Sequence, residues 1–219
     1  MIPVITIDGP SGVGKGTVSS RVAQVLGWHF LDSGALYRAV ALAVLDAHIP
    51  FDAAAEVATK AHALELRFAD AGRVFQGDND ISAQIRAEAV GEVASRIAAL
   101  PAVRTALLNK QRAFRQAPGL VADGRDMGTT IFPDAELKIF LTASADVRAE
   151  RRYKQLKQKG VDANLPRLLG EIRERDRRDS ERPVSPLKPA PDACLLDTST
   201  LSIDEVVDQV IRWWRAGGC

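Results

Sequence analysis

No stretch of this chain restricts its fold as tightly as Gly9-Pro10-Ser11-Gly12-Val13-Gly14-Lys15-Gly16-Thr17. Gly9, Gly14 and Lys15 fit the pattern G-x-x-x-x-G-K. Val4 to Ile7, just before it, is a short apolar run that reads as a buried parallel strand, bounded by Asp8-Gly9-Pro10. Thr17 to Leu26, just after it, carries helical periodicity, with Val18, Val22, Val25 and Leu26 on one face and Gly27 as the stop. In such a turn the backbone N–H groups point inward around an anion, and glycine allows this without a Cβ clash. The helix N-terminus adds positive potential, and Lys15 supplies a cation for β- and γ-phosphates. The Ser or Thr that usually follows the lysine is Gly16 here, and Thr17 comes one residue later. No side chain is therefore assigned as a direct metal ligand. Mg²⁺ is expected to be held through water and phosphate oxygens, with Asp123 and Thr17 near its water shell.

The pattern around this loop predicts an α/β fold. Trp28 to Leu31 reads as a second strand, and Asp32-Ser33-Gly34 caps a helix to about Asp46. Strand, loop, helix, strand, helix is the order of a parallel sheet with helices on its faces. Leu64 to Phe68 and Arg73 to Gln76 read as strands around the turn Asp70-Ala71-Gly72, followed by a turn at Gly77-Asp78-Asn79-Asp80. They predict a small antiparallel sheet inserted into the body, the insert covering about 47–117 of a single domain 1–219. Ala83 to Leu100 and Val103 to Gln116 read as helices separated by Pro101. Leu120 to Asp123 and Leu137 to Leu141 return to the sheet. Ser144 and Asp146 open a basic helix to about Lys159, and another helix covers about Leu165 to Arg178. After the proline-punctuated loop to Pro191, Cys194 to Leu196 reads as the last strand. Ser202 and Glu205 form a capping box for a terminal helix.

Charge narrows the function. The 219 residues carry a net charge of +1. Arg148 to Arg182, however, holds 12 basic and 7 acidic residues, against 17 and 21 in the rest. A basic segment on a mildly acidic body suits a local polyanion rather than a nucleic-acid track, and Tyr153 alone gives no stacking platform there. The uncharged run Ala39 to Leu45 is far short of the ~20 residues of a membrane span. The first residues lack the basic start of a signal peptide. Cys194 and Cys219 make no disulfide framework, so a reducing cytoplasm is expected, and a monomer is expected because no long heptad is evident. His29, His48 and His62 are scattered and read as structural or surface residues.

Three further clusters suit an acceptor site. Ser33 and the helix N–H groups can bind an anion, with Arg38 reaching back to it. Asp123-Gly124-Arg125-Asp126-Met127-Gly128-Thr129 sets two carboxylates and an Arg at a strand end. There Asp123 can orient metal-bound water, Arg125 can hold a phosphate and Asp126 can read a base amino group. In the segment Arg173 to Arg182, helical spacing puts Arg175, Asp179 and Arg182 on one face, where arginines grip phosphate bidentately.

These motifs together resemble bacterial-type cytidylate kinase, over nearly the whole chain in order and spacing, with Gly-Lys-Gly-Thr the form carried by nucleoside monophosphate kinases. The resemblance implies a P-loop NTPase fold, a three-layer α/β/α arrangement with a parallel central sheet, an antiparallel-sheet insert that helps bind the monophosphate, and a helical lid at about 151–182. It implies transfer of the γ-phosphoryl of ATP to CMP or dCMP with Mg²⁺. Ser33, Arg38, Arg125 and Arg182 would face the acceptor phosphate, and Ser95, Arg104 and Asp126 the cytosine. Arg175 and Asp179 would lie near sugar and phosphates, and Arg151 and Arg152 on the lid. Lys15, Arg125, Arg175, Arg151 and Arg152 would then carry the charge of the transfer. A phosphate oxygen is already anionic near neutral pH, so no general base is required. The rival readings are a UMP, dNMP or shikimate kinase of the same architecture, or a nucleotide switch, against which Gly16 and the lack of an Asn-Lys-x-Asp signature argue.

Overall fold

A computed structural model describes residues 1–69, 72–158 and 160–219. Its strands are β1 (Val4–Asp8), β2 (His29–Asp32), β3 (Leu66–Ala69), β4 (Arg73–Gln76), β5 (Asn79–Asp80), β6 (Leu120–Gly124), β7 (Leu137–Thr142) and β8 (Cys194–Asp197). Its helices are α1 (Lys15–Leu26), α2 (Ser33–Asp46), α3 (Ala54–Ala63), α4 (Glu88–Ile97), α5 (Pro101–Arg112), α6 (Ala145–Gln158), α7 (Leu165–Glu181) and α8 (Ile203–Ala216). The chain divides into two compact units, Met1–Leu31 with Phe114–Cys219, and Asp32–Ala113. The second unit thus begins earlier than the insert expected from residue 47. Among the described residues no helix is long and apolar enough to cross a membrane.

In the first unit the sheet runs β2-β6-β1-β7-β8. β6 and β7 flank β1 in parallel, with Ile5 opposite both Val121 and Leu137, and β8 adds in parallel to β7. Side chains alternate faces along a strand. Ile5 and Ile7 join Val18 and Val22 of α1 and Val206 and Val210 of α8 in one core. Each such burial stabilises by roughly 1.5–3 kcal/mol. Thr6 and Asp8 face the other way, where a π-turn at Met127–Ile131 packs so closely that a Cβ on Gly128 would lie 2.8 Å from Thr6 Oγ1. The carboxyl ends of β1 and β6, on either side of the reversal in strand order, are where open α/β sheets leave a ligand crevice.

The second unit has its own core, in which Val40 and Val44 of α2, Val57 of α3, Ile97 of α4 and Leu107 of α5 are buried. Its sheet is antiparallel, with Leu66 opposite Gln76 and Phe75 opposite Asp80.

Several local expectations are corrected. Val25 is 59% exposed and does not share the buried face of Val18 and Val22. The stretch expected as one helix from Ala83 is a 3-10 turn, Gln84–Arg86, then α4, because Ala87 between them is extended at ψ 145. α3 was not expected; its buried stripe is only Val57 and Ala61, too thin to show as periodicity. Asn79 and Asp80, read as turn, pair with β4. Asp70 and Ala71 of the expected turn, and the expected helix end Lys159, lie outside the described residues. The two cysteines, expected to make no disulfide framework, form a disulfide with each other. α8 ends at Gly217 in the left-handed conformation, and the following residues bring Cys219 back to Cys194, with Cα atoms 5.8 Å apart.

Candidate active site

Three glycines shape the loop after β1. Gly9 has φ +147, and a Cβ there would meet the Leu141 carbonyl oxygen at 2.3 Å. Gly14, at φ 96, is the left-handed N-cap of α1, a conformation that glycine adopts without penalty. The helix therefore starts at Lys15, two residues before Thr17, and its first amides have no intrahelical acceptor. Lys15 is buried, and its Nζ donates to the Pro10 carbonyl at 2.8 Å. Burial pushes its pKa down to about 7, with Arg125 acting in the same direction and Asp123 opposing it. The glycine at position 16 also has a packing reason. A Cβ there would lie 3.3 Å from Asp123 Oδ2, so Ser or Thr would crowd that carboxylate.

The end of β6 meets this loop from the side. Arg125 Nε donates to Asp179 Oδ2 of α7 at 3.0 Å, and its Nη1 to the Gly124 carbonyl at 3.2 Å. Burial disfavours the Arg125 charge, but Asp179 and Asp123 outweigh it and raise its pKa. For Asp179, burial works against ionisation, yet Arg125 and Arg175 hold the carboxyl below its ordinary value. Arg175 also acts on Lys15, so Lys15, Asp123, Arg125, Arg175 and Asp179 form one charged group. Arg182 corrects an expectation. α7 ends at Glu181, so Arg182 does not continue the helical face of Arg175 and Asp179. It leaves the helix in an extended conformation, donates through Nε to the Ser185 carbonyl, and brings Nη2 to 3.6 Å from Asp126 Oδ1.

Asp8 was not singled out in the sequence. Its two oxygens accept the Met127 and Gly128 amides, each at 2.9 Å, which fixes the segment immediately after Arg125 and Asp126. Burial pushes its pKa up to about 6, partly offset by those two N–H groups. The available signal was a carboxylate ending an otherwise apolar strand directly before the loop glycine.

Within the second unit, Asp32 Oδ1 accepts from Ala35 N at 3.0 Å, and Ser33 is buried at the start of α2. One turn on, Arg38 Nη1 donates to the Ile85 and Ala87 carbonyls at 2.9 and 3.3 Å. A Cβ on Gly91 would stand 2.6 Å from Arg38 Nη2, so any larger residue would have to displace that guanidinium. Arg104 is buried on α5, donates to the Ala98 carbonyl at 3.2 Å, and lies 5.9 Å from the Tyr37 ring centroid. Ser95 Oγ is buried with no hydrogen-bond partner, an unspent donor. Gln111, two turns beyond Arg104 on α5, buries an Oε1 that likewise has no partner, and nothing in the sequence marked it.

The arginines expected on a lid sit on α6. Arg151 donates to both the hydroxyl and the carbonyl of Thr198. The Thr198 hydroxyl in turn contacts the Val13 carbonyl of the phosphate loop at 3.3 Å. Arg152 is half-buried beside it, and Thr17 is exposed on the first turn of α1.

A glycine-shaped loop running into a helix N-terminus, with a buried lysine at the switch point of a parallel sheet, defines a phosphate-binding α/β protein. The family model described as "Cytidylate kinase" matches residues 5–216. Among curated proteins, the cytidylate kinase of Burkholderia multivorans is 59% identical over 216 residues, covering 99% of this chain and 94% of that one. That of Bordetella bronchiseptica is 58% identical over 214 residues, covering 98% and 96%. That of Aeromonas hydrophila subsp. hydrophila is 57% identical over 216 residues, covering 97% and 94%. The chain belongs to the cytidylate kinase family, a family of nucleoside monophosphate kinases.

Proposed function

We propose that this protein transfers the γ-phosphoryl group of ATP to CMP or dCMP, giving CDP or dCDP. The observation that carries the reading is the charged group itself. Lys15 closes the phosphate loop, and Arg125 and Arg175 stand against it on the side of β6 and α7. Two phosphate chains held end to end need such a distribution of cations, with no proton-abstracting side chain between them. The attacking phosphate oxygen is already ionised, so the contribution of the residues is binding, orientation and charge stabilisation.

On the donor side, amides of 9–17 and Lys15 would hold the triphosphate. On the acceptor side, Ser33, Arg38, Arg125 and Arg182 would hold the CMP phosphate. Arg175 and Asp179 would lie by the sugar and phosphates. Arg151 and Arg152 would act from α6 as part of a lid over about 151–182, excluding water as a competing acceptor. For cytosine, Asp126 would accept from the amino group, and Ser95 and Arg104 would donate to the ring acceptors. The partnerless Ser95 Oγ supports this assignment, because a buried hydroxyl left unpaired costs roughly 1–3 kcal/mol and gains a partner on binding.

The residues also suit Mg²⁺. Asp123 presents an oxygen beside Gly16, and hard divalent cations of this size keep water while binding few carboxylates. Asp123 would hold the ion through water, with the Thr17 hydroxyl close by. When bound, the ion neutralises phosphate charge. The Cys194–Cys219 disulfide removes the ground on which a reducing cytoplasm was expected, and the protein would act as a monomer. The test is ADP release from ATP across CMP, dCMP, UMP, dTMP and shikimate, with a blank lacking acceptor. CMP or dCMP should give the highest turnover; a faster rate with UMP or shikimate overturns the assignment.

A further inference from the structure

Arg148 lies on α6, outside the motifs considered above, and is only 4% exposed. Its Nε donates to the Ala143 carbonyl just past β7, at 3.0 Å. Nη1 donates to the Ser11 carbonyl of the phosphate loop at 3.1 Å. Nη1 and Nη2 together grip the two oxygens of Asp176 on α7 at 3.0 and 2.5 Å. Arg148 Cβ would stand 3.3 Å from a Cβ on Gly12, so the bare glycine lets the loop rest on this side chain. A forked guanidinium on a carboxylate fixes direction as well as distance. Stability alone is a weak reason for such a pair, since apolar residues of similar size often replace a buried ion pair without loss. Only a forked cation, however, can hold the loop carbonyl and α7 at once. Asp176 follows Arg175 directly, and Asp179 is less than a turn further on.

We propose that Arg148 is a positioning residue that couples the two substrates, linking the phosphate loop through Ser11 to the placement of Arg175 and Asp179 through Asp176. The inference rests on the phosphotransfer reading and deepens it. Filling the loop fixes Ser11, Arg148 carries that constraint to α7, and α7 then meets the acceptor pre-ordered. Such coupling is reciprocal, so each nucleotide tightens the other by the same factor.

The test is a calorimetric titration of CMP into the full chain, alone and with a saturating non-hydrolysable ATP analogue. For the wild type, the analogue should tighten CMP by about fivefold or more. In Asp176→Asn, which keeps the shape but loses the charge-assisted fork, that factor should fall to within about twofold of unity. The affinity for the analogue alone should change by less than about threefold, because the Ser11 contact remains. Arg148→Lys, cationic but unforked, should lose the coupling too. Asp176 is 25% exposed, so its variant should fold, and it decides the matter by itself if Arg148→Lys does not. No coupling in the wild type, or full coupling in a folded Asp176→Asn, overturns the role of Arg148. CDP formation by the same wild-type sample is read in parallel, and its absence overturns the phosphotransfer reading instead.

Discussion

Lys15 holds its proton loosely in the nucleotide-free fold, because burial brings its pKa to about 7. A bound triphosphate favours the charged form, so nucleotide binding should draw in a proton. At about pH 8, titrations in two buffers of different ionisation enthalpy should report uptake approaching one proton per ATP, falling off below about pH 6. Equal heats in the two buffers at pH 8 would contradict this. Lys15→Met should lower kcat by about 10²-fold or more with the fold intact by circular dichroism. On the proposed reading Asp126 carries base choice. Uracil, which replaces the amino donor of cytosine with an acceptor, would face this carboxylate with repulsion. Asp126→Ala should therefore lower kcat/KM for CMP and narrow the CMP-to-UMP ratio by about tenfold or more, and an unchanged ratio removes Asp126 from base reading. At this scale the sequence was most legible where chemistry requires a residue type within a short span, as in 9–17 and 123–126. Asp8 and Gln111 escaped notice because their importance lies in contacts made far along the chain or in a buried atom left without a partner.

Gly91 shows how an element limits a side chain on its neighbour. α2 and α4 pack so closely that Arg38 lies across Gly91. Gly91→Ala should push the guanidinium aside, raising KM for CMP by about tenfold while leaving KM for ATP within about twofold. A parallel rise in both constants would mean general disruption instead. The strands β1, β6 and β7 were readable because continuous apolar runs bounded by turn residues have few other uses. α8 was readable from its capping box, in which Ser202 N donates to Glu205 Oε2 at 2.8 Å and Glu205 N to Ser202 Oγ at 3.3 Å. α3 and the break at Ala87 were not readable, because alanine-rich segments keep helical propensity without an apolar stripe strong enough to mark their ends. Helical spacing does not reach Arg182, because α7 ends one residue before it.

Across the whole molecule, the phosphate site weighs against stability. The folded pKa of Lys15, about 7, lies below its value of 10.5 in an open chain. Its contribution is therefore present above about pH 10.5 and lost as pH falls through about 7. The folded pKa of Asp8, about 6, lies above 3.8, so its contribution is present below about pH 3.8 and lost as pH rises through about 6. The two groups together favour the fold least between about pH 6 and 7. Lys15→Met should accordingly raise Tm near pH 6.5, with the gain shrinking towards pH 9; a gain independent of pH would reject burial of the charge as its cause. The pairing of Cys194 with Cys219 was invisible in the sequence, since it depends on how the last residues turn back after α8. ATP labelled in its γ-phosphate, incubated with Mg²⁺, CMP and the intact protein, should yield CDP labelled in its β-phosphate, one equivalent for each ADP formed. Label recovered as inorganic phosphate, with no labelled CDP, would contradict it.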